Sequence, residues 1–166
     1  HELRTPLNAI VGWTDMMKKG ALQGEDLDRA METIDRNAHA LSGLVADLLD
    51  VSRIVTGTLK IESKAVSLAS VVEAAVLAAR PLYAAKDIAL DVAIGDRGHV
   101  IGDAGRLRQV LTNLLNNAVK FTPLGGTVSV RVERDTDRLR LVVADTGEGI
   151  APDFLPHVFE RFRQAE

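Results

Sequence analysis

The chain has 166 residues, a formal net charge of −3, 46% apolar residues and no cysteine. That length and composition describe a soluble globular piece; nothing in it forms a basic patch for nucleic acid, and the lack of cysteine removes disulfide and thiolate chemistry and fits a reducing compartment. No apolar run is long enough to span a membrane, and no signal peptide or internal repeat is present, so a cytoplasmic segment without membrane contact of its own is expected, compatible with a membrane-anchored parent.

The chain opens with HELRTPL, residues 1–7. On a helix, Thr5 lies one turn beyond His1 with Glu2 beside both, so an imidazole, a carboxylate and a hydroxyl share one small volume. Pro6 has no N–H for the carbonyl of Glu2, and a proline in a helix interior typically costs about 3 kcal/mol and bends the axis. Leu3, Leu7, Ile10, Thr14 and Met17 step by four and three, a two-helix seam with only Thr14 out of character. His1 falls off that seam toward solvent, where an imidazole is substantially neutral and nucleophilic at cellular pH. The same spacing also suits a solvated helix face with no chemistry.

A second helix carries Leu27, Met31, Ile34, Ala38, Leu41, Val45 and Leu48 at heptad spacing, with Asp26 as its expected N-cap and Gly20 and Gly24 bracketing the turn before it. Residues 1–52 should form an antiparallel hairpin. One hairpin cannot bury two such stripes, which predicts a homodimer closing a four-helix bundle. Val51 and Ile54 would run past His1 with nothing to pack on, so the first helix is expected to continue upstream.

Near residues 54–58 the periodicity changes, and the remainder of the chain reads as α+β. TLKIE (58–62) suits a short strand, and Ser67 or Ser70 suits the cap of a helix running to about Lys86, which Pro81 would bend or interrupt. Strands are expected at residues 88–94 and around Val100. A helix after Asp103 would carry Leu107, Val110, Leu111, Leu114 and Ala118 on one face, and TVSVRVER with RLRLVVAD reads as a hairpin after Gly125 and Gly126. The sheet should be antiparallel or mixed, with helices on one side.

Two further constellations stand on this scaffold. Asn113, Asn117 and Lys120 recur at i, i+4 and i+7, away from the leucines. A carboxamide oxygen is a reasonable ligand for magnesium, which keeps several waters and shares its other positions with substrate phosphates, and a lysine adds a point charge for those phosphates. A polar helix side facing water would look the same. Asp145-Thr-Gly-Glu-Gly149 ends a strand, where a carboxylate can accept from an exocyclic amine and glycines let the backbone approach a flat ring. Phosphate-loop and dinucleotide patterns are absent. His39, His99 and His157 are isolated and show no metal-ligand pairing.

In this order the motifs resemble the histidine protein kinases of two-component signalling. HELRTPL is similar to the family's phosphoacceptor box, GRLRQVLTNLLNNAVKFTP (105–123) to its asparagine box, ADTGEGI (144–150) to its first glycine box and FERFRQ (159–164) to its phenylalanine box. The resemblance implies an antiparallel helical hairpin forming a dimeric four-helix bundle over residues 1–56. A GHKL-type α/β-sandwich ATP-binding domain with a mixed, mainly antiparallel sheet would follow over residues 57–166. It implies that His1 is the phosphoacceptor, Glu2 its acid/base partner, and Thr5 the residue that positions water when a partner is dephosphorylated. By the same resemblance Asn117 holds magnesium, Asp145 reads the adenine amine of ATP, Asn113, Lys120 and Phe121 line the nucleotide pocket, and Gly147 and Gly149 shape its rim.

Hydrolytic ATPases of the gyrase and Hsp90 type carry a water-activating glutamate one turn before the metal asparagine, where this chain has Asn113. The expected reaction is therefore attack of His1 on the γ-phosphate, followed by transfer to an aspartate on the receiver domain of a response regulator. The family's second glycine box would follow Glu166, so an incomplete nucleotide domain that binds ATP weakly or not at all is expected, and Arg161 and Arg163 are candidate phosphate contacts. A catalytically impaired dimerisation and regulator-docking fragment, or a GHKL-type ATPase, are the alternative readings.

Overall fold

The computed structural model describes residues 3–160. By backbone contacts the chain divides into two compact units, His1–Lys60 and Ile61–Glu166.

The first unit is a helical hairpin, α1 (Arg4–Lys18) and α2 (Glu25–Val55). Both helices end in a glycine with positive φ, Gly20 and Gly57, at +66° and +65°. Beyond Gly57 the chain folds back to satisfy orphan carbonyls: Gly57 N–H donates to Ile54 O at 3.2 Å and Thr58 N–H to Arg53 O at 2.9 Å. Those bonds explain why residues 58–62 are not the expected strand. The amides of Thr58 and Leu59 both terminate α2 on Arg53 O, and strand β1 starts at Lys64.

One local expectation is corrected here. Gly24, at φ +53°, is the N-cap of α2; Asp26 sits inside the first turn with Glu25 and Asp28, where carboxylates favour the helix N-terminus without capping it. The expected loss at Pro6 of a bond to the carbonyl of Glu2 involves a residue outside the described ones; Pro6 itself is buried in α1. Among the described residues of this hairpin only Pro6 and Ala30 are buried, while Leu3, Leu7, Val11, Met31, Val45 and Leu48 stay exposed.

The second unit runs β1 (Lys64–Ser67), α3 (Leu68–Ala85), β2 (Ala89–Ile94), β3 (His99–Gly102), α4 (Ala104–Phe121), β4 (Thr127–Asp135) and β5 (Arg138–Asp145), then a short 3-10 turn at Leu155–His157. β1 and β3 form an antiparallel pair, and a three-stranded mixed sheet has the order β2-β4-β5, with β2 parallel and β5 antiparallel to β4. Val128, Val130 and Val132 alternate inward on β4 and are essentially inaccessible. Against them pack Leu68, Val72, Ala75, Val76, Ala79 and Tyr83 of α3 and Leu111, Leu115 and Ala118 of α4, so both helices lie on the same face of the sheet.

Ser67 caps α3, accepting from Ser70 N–H at 3.3 Å, and Asp103 caps α4, accepting from Arg106 N–H at 3.1 Å. Pro81 does not interrupt α3, which is continuous to Ala85. By length and mean hydropathy of 1.4 this helix passes as a candidate membrane span, contrary to the expectation of none. Glu73 and Arg80 break its apolar run, and one side of it forms the core just described.

The burial of α4 also departs from expectation. Leu111, Leu115 and Ala118 are buried, whereas Val110 and Leu114 are 56% and 43% exposed. Periodicity alone merges two neighbouring apolar stripes that differ by about a quarter-turn. The sheet covers one of them; the other, with Val110, Leu114 and Phe121, borders Asn117.

Candidate nucleotide site and phosphoacceptor helix

On α4 the polar residues Asn113, Asn117 and Lys120 are all exposed along one side. Phe121 closes the helix, 45% exposed, with the Lys120 ammonium 4.8 Å from its ring centroid. This end of the helix thus offers two carboxamides, a cation and an aromatic face beside the uncovered apolar stripe.

Asp145 ends β5, paired across the sheet with Val128. Its Oδ1 accepts from Gly147 N–H at 2.8 Å, which folds the chain into a tight turn. Thr146 ties the turn to β4, its N–H donating to Thr127 O and its hydroxyl accepting from Thr127 N–H, each at 3.0 Å. A Cβ on Gly147 would sit 2.6 Å from Asp145 Oδ1 and 2.7 Å from Phe121 O. The turn after Asp145 therefore rests directly on the end of α4, and residues 26 positions apart in sequence become one site. Gly149 is different: it has open space around it but a φ of +75°, so conformation and not contact favours glycine there.

Beneath this junction lie groups that the sequence reading missed. Thr122 is completely buried, its hydroxyl has no hydrogen-bond partner among the described residues, and its methyl crowds Gly126. Tyr83 donates to Leu115 O at 2.9 Å in the core. Burial, and then the negative charge of Asp145, push the Tyr83 phenol up to about 12, so it stays a neutral donor next to the site. The available signal was the chain's only tyrosine, set among the alanines and leucines at the end of a largely apolar helix.

His1 and Glu2 lie outside the described residues, as do Arg161 and Arg163 and the end of the FERFRQ motif; Thr5 is exposed in the first turn of α1. Among the described residues no group of three or more His, Cys, Asp or Glu side chains converges on a metal position. A single exposed carboxamide at Asn117 instead suits a magnesium ion that retains waters and phosphate oxygens. A separate groove of about 440 Å³, lined by Lys64, Ser67, Ser70 and Arg108, contains none of these residues.

Comparison with known proteins finds a family model in each unit. Residues 1–57 match the His Kinase A (phospho-acceptor) domain, and residues 102–166 match the histidine kinase-, DNA gyrase B- and HSP90-like ATPase domain. The chain is 37% identical over 173 residues to the non-motile and phage-resistance protein of Caulobacter vibrioides, covering all of this chain and 20% of that protein. A solved mycobacterial sensor histidine kinase, MprB, is 34% identical with a TM-score of 0.57, over 62% of this chain and 68% of that one. The histidine kinase ThkA, solved in complex with the response regulator TrrA, shares the fold at 23% identity and a TM-score of 0.69, over 99% of this chain and 48% of that one. The chain spans about a fifth of the length of the curated relatives it matches. With the phosphoacceptor and ATP-binding domains present in order, and a site joining the asparagine helix to the strand-end aspartate, the chain belongs to the two-component sensor histidine kinases.

Proposed function

We propose that this chain is the catalytic core of an ATP-dependent protein-histidine kinase that phosphorylates His1 and passes the phosphoryl group to an aspartate of a response regulator. The observation that carries the reading is the junction at Gly147, which sets Asp145 against the end of the helix bearing Asn113, Asn117, Lys120 and Phe121. Asp145 accepts from the adenine amine and Phe121 offers the ring a flat contact, while Asn113 and Lys120 face the phosphates. Asn117 would hold magnesium, which when bound would offset the charge on those phosphates. A ring nitrogen of His1 forms a bond to the γ-phosphorus, the bond from that phosphorus to the bridging oxygen breaks, and ADP leaves. Glu2 accepts or orients the proton on the other ring nitrogen. Because Asn113 stands where an ATPase needs a base for water, hydrolysis is the poorer reading.

Residues 1–56 serve as the dimerisation and phosphotransfer domain and residues 57–166 as the ATP-binding domain. The apolar side chains left exposed on α1 and α2 support a homodimeric four-helix bundle. The regulator complex of ThkA supports a receiver domain as partner, and Thr5, exposed in the first turn of α1 and four positions after His1 in sequence, suits a role in dephosphorylating it. A cytoplasmic location fits these roles.

The test is incubation of the full-length protein containing this chain with γ-labelled ATP and magnesium. Protein-bound label that is lost in acid and kept in base, and that disappears in His1→Gln, is the expected result. Label that never forms, or that survives His1→Gln, overturns the kinase reading; phosphate release without bound label favours an ATPase.

A further inference from the structure

The end of α4 is held from the opposite side by the last turn of α3. In an α-helix a carbonyl accepts from the N–H four residues on, and for Val119 that residue is Pro123, which has no N–H. Thr122 then leaves helical geometry, at φ −81° and ψ 129°, so the carbonyl of Lys120 also loses its continuation. Both orphaned carbonyls are taken by one side chain: the Lys86 ammonium donates to Val119 O at 2.7 Å and to Lys120 O at 3.2 Å. A cation at a helix C-terminus is favourable by charge as well as by hydrogen bonding.

One turn earlier on the same side of α3, the Tyr83 hydroxyl donates to Leu115 O at 2.9 Å, one turn before Val119 on α4. The segment after α3 is stapled to the segment after α4 too. Gly125 N–H donates to Asp87 O at 3.1 Å and Ala89 N–H to Gly126 O at 2.9 Å. The carbonyls grasped by Tyr83 and Lys86 bracket Asn117 and adjoin Phe121, and Tyr83 is near enough to Asp145 to feel its charge.

We propose that Tyr83 and Lys86 are positioning residues for the nucleotide site, setting where the last two turns of α4 present Asn117, Lys120 and Phe121 to Asp145. Neither side chain touches the nucleotide; each acts through the α4 backbone. This rests on the reading that Asp145 and α4 bind ATP.

The experiment uses the full-length protein with Lys86→Met, Lys86→Arg, Tyr83→Phe and, as a control on the site, Asp145→Asn. ATP affinity in magnesium, the KM and kcat of autophosphorylation, melting temperature and amide chemical shifts are measured. Lys86→Met should weaken ATP binding about tenfold, the loss of one charged hydrogen-bonding group, with the change in KM exceeding that in kcat. Lys86→Arg should restore affinity to within about threefold, because a guanidinium also reaches two carbonyls. Tyr83→Phe keeps the ring volume and should shift amides at residues 115–122 and 145–147 selectively. If Lys86→Met and Tyr83→Phe bind ATP as tightly as the parent while Asp145→Asn does not, the positioning role is overturned and the site stands. If Asp145→Asn also binds normally, the nucleotide reading falls and takes the proposal with it. Should Lys86→Met fail to fold, Tyr83→Phe alone decides: unchanged affinity and unshifted site amides overturn the role.

Discussion

Replacing Gly147 with alanine probes the junction on which the site depends. The added Cβ would meet Asp145 Oδ1 at 2.6 Å and Phe121 O at 2.7 Å, where ordinary contact begins at 3.4 Å. Neither neighbour can yield freely. The Asp145 carboxylate is held by the Gly147 N–H at 2.8 Å, and Phe121 O belongs to the helix end beside the buried Thr122. Relieving the overlap therefore moves the turn and the helix apart by roughly 0.7 Å, and overpacking of this kind costs about 1–3 kcal/mol. In a unit of this size that lowers the melting temperature by about 4–8 °C for each kcal/mol. A displacement approaching 1 Å at a reacting site can also cost on the order of 100-fold in rate. Thermal melts and autophosphorylation rates of Gly147→Ala should show both losses, and nucleotide titration should show weaker binding. Gly149→Ala is the matched comparison: its Cβ meets open space, so only the positive φ is penalised, by about 1–2 kcal/mol. If Gly147→Ala binds ATP like the parent and melts at the same temperature, the helix end and the Asp145 turn are not packed together.

On α4, Leu111→Ala should cost about 2–5 kcal/mol in chemical denaturation, because it empties core, while Val110→Ala stays within about 0.5 kcal/mol; equal effects would mean the wrong stripe is buried. The N–H groups of Arg106 and then Glu62 hold the Asp103 carboxyl below its usual range. A carboxylate depressed on folding contributes stability that is fully present above its unfolded pKa and is lost as pH falls through the folded value. Urea midpoints should therefore fall in acid, below about pH 4, and Asp103→Asn should flatten that fall; an unchanged acid limb would remove Asp103 from the account. Leu48→Glu, on the exposed apolar side of α2, should convert a dimer to a monomer by light scattering; an unaltered mass would place the interface elsewhere.

Much of this architecture was legible along the chain because its signals are local. The periods of α1 and α2 are read within a few turns, as are a capping serine at Ser67 or Ser70 and the alternation of Val128, Val130 and Val132, while the capping role of Asp103 came only with the structure. The Asn113, Asn117 and Lys120 stripe needed only helical spacing, and its exposure agrees with that spacing. The strand expected at residues 58–62 failed because termination of α2 claims the amides that a ladder would have used.

Local sequence determined that two helices with apolar stripes would precede an α+β unit, and which polar side chains each element would carry. Only the tertiary structure decided what those side chains meet. Which stripe of α4 is buried depends on where the sheet lies, and the parallel pairing of β2 with β4 joins strands from distant parts of the chain. The bond from Lys86 to the orphaned carbonyls of Val119 and Lys120 spans more than thirty residues. So it is with the site itself: Phe121 and Gly147 carry no mark of each other in sequence, and their contact exists because the core between α4 and β5 is closed by packing.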